Sequence, residues 1–133
     1  MRSELLVVLG VCLTLGAAIK SEPVPADPLV TGAYKLVGET FKDKVMNPDT
    51  DVLVFFYAPW CGHCKKFKPT LQEFGRTINN NNASVLVAEL DATANDWDRE
   101  TFPVKGYPTL FLAKRDAKTA PVKFSGPRTV EGL

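Results

Sequence analysis

The chain has 133 residues, 45% of them hydrophobic and 23% charged, an ordinary globular composition whose length holds one domain at about 150 residues per domain. With 16 Lys+Arg against 15 Asp+Glu the net charge is +1, and no basic run interleaved with aromatics marks a nucleic-acid surface. Three cysteines are too few for a disulfide-stapled scaffold, and no period supports a coiled coil, collagen or a repeat array.

Arg2 precedes an apolar run of 14 residues, 5–18 (LLVVLGVCLTLGAA), too short for the roughly 20 residues that span a bilayer. Gly16 and Ala18 are small residues suited to cleavage after Ala18. Residues 1–18 therefore read as a secretory signal peptide, and no membrane segment is expected after its removal. Cys12 leaves with it, so Cys61 and Cys64 are the cysteines of the mature chain, in an oxidising compartment. Asn82-Ala83-Ser84 is an N-glycosylation acceptor pattern.

Residues 19–32 read as an extended leader without a core of its own, with Pro23, Pro25 and Pro28 close together. The domain is expected over 33–133. A short strand at 34–37 and a short helix at 39–46 lead into a turn at 47–51. Residues 52–57 (VLVFFY) are a continuous apolar run, the pattern of a strand buried on both faces. Past Cys61 the period changes. Phe67, Leu71, Phe74 and Ile78 form a helical stripe, with Lys65, Lys66, Lys68, Gln72 and Arg76 placed on the surface. Pro69 is expected to kink this helix, and 79–82 to stop it. A strand at 84–90, a short helix at 97–102 ended by Pro103, and strands at 109–113 and 122–125 complete an α/β sheet with helices on both faces. A last helix starts near Thr129 and has only five residues.

Trp60-Cys61-Gly62-His63-Cys64 follows the buried strand and opens the long helix. Thiolates, not thiols, attack disulfides, and an ordinary cysteine is mostly protonated at neutral pH. At a helix start, unsatisfied N–H groups and the macrodipole favour the Cys61 thiolate. His63, when protonated, adds a positive charge. Cys64, one turn on, can resolve a mixed disulfide at Cys61. Stabilising the thiolate favours the reduced form and so makes the site more oxidising. A structural disulfide across two residues would constrain little chain entropy. Zinc would need further Cys or His ligands that the mature chain lacks, and haem attachment would need His where Lys65 stands, so no metal or cofactor is expected.

The segments Tyr57-Ala58-Pro59-Trp60-Cys61-Gly62-His63-Cys64-Lys65, Gly106-Tyr107-Pro108-Thr109-Leu110 and Gly126-Pro127-Arg128-Thr129 resemble the catalytic thioredoxin-fold domain of protein disulfide isomerases, over about residues 33–133. The resemblance implies a thioredoxin fold with a central mixed sheet. It implies Cys61 as nucleophile, Cys64 as resolving thiol, and a redox disulfide between them. Gly62 and His63 complete the motif. Pro108 is implied to be cis beside the sulfurs, presenting backbone to an extended substrate together with Trp60 and Tyr107. Arg128 matches an arginine that approaches the second cysteine; otherwise it is a surface residue.

Two positions depart from the family pattern. A buried glutamate usually stands six residues before the first cysteine, where this chain has Phe55. A lysine usually stands two residues before the aspartate of the segment matched by Asp91-Ala92-Thr93, and here that residue is Glu89. We expect Glu89 to be a buried, unpaired carboxylate, with a raised pKa, that exchanges the proton of Cys64; the alternative is a solvent-facing Glu89.

The truncated last helix is expected to uncover an apolar sheet face, leading either to a homodimer or to a chain that is a piece of a longer protein. The expected function is thiol–disulfide oxidoreductase and isomerase, with thiol- or disulfide-bearing unfolded proteins as substrates and a thiol oxidase or glutathione as redox partner. The endoplasmic reticulum lumen is the expected location. Glu131-Gly132-Leu133 is not a KDEL-type signal, so secretion stays open. A thioredoxin-like reductase and a non-catalytic binding or holdase module are the alternatives.

Overall fold

A computed structural model describes residues 18–81 and 84–133. The run read above as a signal peptide, up to residue 17 and including Cys12, and Asn82 and Ala83 of the glycosylation pattern lie outside the described residues.

The elements in chain order are β1 (Tyr34–Leu36), α1 (Gly38–Val45), β2 (Asp51–Tyr57), α2 (Gly62–Asn81), β3 (Val85–Asp91), β4 (Thr109–Ala113) and β5 (Val122–Lys123). They form one mixed sheet in the order β1-β3-β2-β4-β5. β3 runs parallel to both β1 and β2, while β4 is antiparallel to β2 and β5 to β4. The apolar run is thus the central strand, and its alternate residues serve two cores. Val52, Val54 and Phe56 pack on one face with Phe41 and Val45 of α1. Leu53, Phe55 and Tyr57 pack on the other with Phe67 and Leu71 of α2. Edge-to-face contacts of Phe55 with Phe67 (5.1 Å) and of Phe56 with Phe111 (6.2 Å) anchor the two sides, an arrangement that adds to area burial.

Residues 97–102 form a turn rather than the expected helix. Asp98 accepts from the N–H groups of Glu100 and Thr101, and Phe102 N closes one turn on Asp98 O (3.0 Å). Pro103 has no N–H to donate to a next turn. The Trp97 indole N–H is satisfied by Phe102 O (2.9 Å). α2 runs on to Asn81, past the expected stop. Asn79 instead ties the helix to its neighbours, donating to Gly32 O (2.9 Å) and Val87 O (3.1 Å) and accepting from Val87 N (2.9 Å).

The leader is docked. Buried Asn95 accepts from Glu22 N (2.8 Å) and Gly38 N (2.9 Å) and donates to Asp91 O (3.1 Å). Ser21 Oγ accepts from Glu39 N (3.0 Å). The leader thereby caps orphan donors at the start of α1.

The uncovered apolar face expected beside the short C-terminal turn is not present among the described residues. Leu53, Phe55 and Leu110 are buried, and Leu112, Phe124 and Leu133 are partly buried against the same cluster. The large exposed hydrophobics are instead Ile19, Val24, Leu29 and Val30 of the leader, with Trp60 and Val122. The premise for a homodimer through that face therefore falls.

Candidate active site

β2 ends at Tyr57, and Ala58 to Trp60 turn the chain so that Cys61 immediately precedes α2. Cys61 is the N-cap: its Sγ accepts from Cys64 N at 3.4 Å, the position of a capping side chain on the third helical N–H. Both cysteines are free thiols. Both are buried, Cys61 at 8% exposed less completely than Cys64 at 1%. Gly62 and His63 are exposed between them, and no heavy atom lies within 4 Å of a Cβ built at Gly62.

The electrostatics separate the two sulfurs. A hydrogen bond from the Cys64 thiol is the largest influence lowering the Cys61 pKa, followed by the N–H groups of Cys64 and His63 and the charge of Arg128. Burial, then the hydrogen bond it gives to Cys61, pushes Cys64 up to about 11. The two sulfurs are thus shifted in opposite directions, Cys61 toward thiolate and Cys64 toward thiol.

The Tyr107–Pro108 peptide is cis, and Cys61 Sγ donates to Tyr107 O at 3.7 Å. Trp60 is 70% exposed, its ring edge-on to Tyr107 at 6.0 Å. Trp60, Cys61, Tyr107 and Pro108 therefore share one surface. Arg128 is exposed, and its charge reaches both sulfurs.

Glu89 is buried, 3% exposed, opposite Phe55 of β2 and Lys35 of β1, so the solvent-facing alternative is excluded. It is not unpaired, however. Lys68 Nζ lies 3.8 Å from its carboxylate and Gln72 Nε2 donates to it at 3.3 Å. Burial nonetheless holds its carboxyl above the usual range, with Lys68 opposing. Lys68 and Gln72, read from sequence as surface residues, are turned toward this acid. The spacing Cys64–Lys68–Gln72, one row of an α-helix, places both on the side of the helix that carries Cys64. A cleft of about 190 Å³ lined by Tyr57, Ala58, Pro59, Cys64, Lys65 and Lys68 adjoins the resolving cysteine. Among the described residues, no group of three or more His, Cys, Asp or Glu is placed to hold a metal.

A mixed five-stranded sheet with a dithiol at the start of its long helix, beside a cis-proline loop, defines the thioredoxin class of redox protein. The thioredoxin family model matches residues 32–133, and the chain belongs to that family. It is 42% identical over 121 residues to protein disulfide-isomerase A4 of Bos taurus, covering 90% of this chain and 18% of that protein. It is 43% identical over 124 residues to a protein disulfide-isomerase of Arthroderma benhamiae, covering 90% and 23%. The chain thus spans about a fifth of the length of these relatives. Among solved structures, the first thioredoxin domain of mouse protein disulfide-isomerase A4 superposes with a TM-score of 0.64 at 36% identity, over 86% of this chain and 74% of that one. The Trx4 domain of ERdj5 gives 0.62 at 26% identity, over 75% and 87%.

Proposed function

We infer that the chain is a thiol–disulfide oxidoreductase and isomerase of the secretory pathway, acting through Cys61 and Cys64. The observation that carries this reading is the asymmetry of the dithiol: a less buried sulfur at the helix start favoured as thiolate beside a more buried one favoured as thiol. The Cys61 thiolate attacks a sulfur of a substrate disulfide. A new S–S bond forms, the substrate's own breaks, and one substrate sulfur leaves as thiolate. In isomerisation that freed thiolate attacks elsewhere and Cys61 is regenerated. In reduction Cys64 gives up its proton and attacks Cys61 Sγ, closing the Cys61–Cys64 disulfide and expelling the reduced substrate. Reduced glutathione then returns the Cys61–Cys64 disulfide to the dithiol, whereas in net disulfide formation glutathione disulfide or a thiol oxidase regenerates the disulfide, and no cofactor enters.

Glu89 is the proposed acceptor of the Cys64 proton, Arg128 supports the thiolates by charge, and His63 supports the Cys61 thiolate. Trp60, Tyr107 and Pro108 offer an apolar surface and a backbone carbonyl to an extended polypeptide. The luminal location rests on the apolar run of residues 1–18.

The test is rescue of scrambled ribonuclease in a glutathione buffer, with Cys61→Ala and Cys64→Ala alongside. The reading predicts rescue by the parent protein and none by Cys61→Ala. Insulin reduction without rescue would make the protein a reductase, and inactivity in both assays would leave a binding module.

A further inference from the structure

Resting on the dithiol reading above, the geometry around Glu89 leads to a residue that the family motif does not contain. Glu89 is faced from α2 by Lys68 (3.8 Å) and Gln72 (3.3 Å). From β1 it is faced by Lys35, which is itself tied to Glu22 (3.5 Å). From β2 it is faced by Phe55 and by Tyr57, over whose ring Lys68 Nζ sits at 4.2 Å. Glu89 itself does not line the cleft beside Cys64; Lys68 does. Lys68 is one helical turn from Cys64 and a third exposed, whereas the Glu89 side chain is 4% exposed. The lysine therefore stands between the buried acid and the space next to the resolving sulfur, and that space is large enough for water.

We propose that Lys68 is a positioning residue of the resolving step, its ammonium shared between the Glu89 carboxylate and the cleft that holds Cys64. When the mixed disulfide is to be resolved, the Cys64 S–H bond breaks and its proton ends on Glu89. The electron pair left on Cys64 attacks Cys61 Sγ, the Cys61–substrate S–S bond breaks, and the substrate leaves as a thiolate, reduced. No proton passes through Lys68. It pairs with Glu89 before the transfer, and once that carboxyl is neutral it faces the thiolate in the same cleft. One cation thus serves whichever group is anionic, and no buried charge is left alone at any stage.

The experiment follows the pH dependence of release of the second equivalent of thionitrobenzoate when the reduced protein reacts with dithiobis(nitrobenzoate). The first equivalent reports Cys61 and the second reports resolution by Cys64. Lys68→Met removes the cation at nearly constant length, and Lys68→Arg keeps it. An opposite charge within about 4–6 Å shifts a carboxyl by about 1–3 pH units. Lys68→Met is therefore expected to move the midpoint of the second phase upward by about one unit or more, with roughly tenfold slower release at neutral pH. Lys68→Arg is expected to restore the profile. Superimposable profiles for Lys68→Met and the parent, or an arginine variant that behaves as the methionine variant does, would overturn the proposal while leaving the dithiol chemistry intact. Failure of the parent to release a second equivalent would instead remove the dithiol reading itself.

Discussion

Replacing Cys64 by alanine tests what makes Cys61 a nucleophile. The Cys64 thiol donates to the Cys61 sulfur, and this is the largest influence lowering the Cys61 pKa. Hydrogen bonds to charged groups are worth about 1.5–3 kcal/mol, and about 1.4 kcal/mol corresponds to one pH unit. Cys64→Ala is accordingly expected to raise the Cys61 midpoint by about one to two pH units. The N–H of residue 64 (3.4 Å in the parent protein), that of His63, and Arg128 remain in place. The assay is the rate of iodoacetamide labelling of the reduced protein against pH, with the modified peptide identified by mass spectrometry. In the parent, Cys64 at about 11 is ionised in about one molecule in ten thousand at pH 7, against a few per cent for an ordinary cysteine. Label is expected almost entirely on Cys61. Equal labelling of the two cysteines, or a Cys61 midpoint unmoved in Cys64→Ala, would refute the reasoning.

Three further outcomes follow from the same geometry. Burial holds the Glu89 carboxyl above its unfolded value, so the native state keeps that proton longer. The stability it supports is lost as pH rises from about 4.3 through the higher folded value. Glu89→Gln should therefore gain stability relative to the parent across that window in urea titrations, and a pH-independent difference would contradict this. Asn95→Ala leaves the N–H groups of Gly38 and Glu22 without their partner, while Asp91 O keeps Ala94 N. The expected loss is about 2–4 kcal/mol by chemical denaturation, and a loss below about 1 kcal/mol would mean that Asn95 does not hold the leader. Trp60→Ala, at a largely exposed ring, should change stability by no more than about 0.5 kcal/mol while raising KM for peptide disulfides; an unchanged KM would remove Trp60 from the substrate surface.

The sheet and the dithiol were legible in the sequence because both are written locally. An uninterrupted apolar run marks a strand covered on both faces, and β2 is such a strand. The Phe67–Leu71 stripe with a cysteine at its head marks a helix start. What escaped was non-local. Asn95 reads as a loop residue, yet it is buried because the leader passes over it. Lys68 reads as a surface lysine, yet its long side chain bends to an acid on β3, a partner that spacing along α2 does not reveal. The helix expected at 97–102 failed on a local competition, since the Asp98 side chain and Pro103 confine that segment to one turn. Glu89 shows both effects: its burial follows from strand alternation, while its pairing required the fold.

The most direct measurement of the central claim is mass-spectrometric mapping of the covalent adduct formed when the Cys64→Ala protein meets a disulfide-bonded unfolded polypeptide. With the resolving thiol absent, the mixed disulfide should persist. A single substrate chain linked through Cys61, and released on adding a small-molecule thiol, is the expected product. Absence of any adduct, with the protein folded and Cys61 reduced, would contradict the central claim.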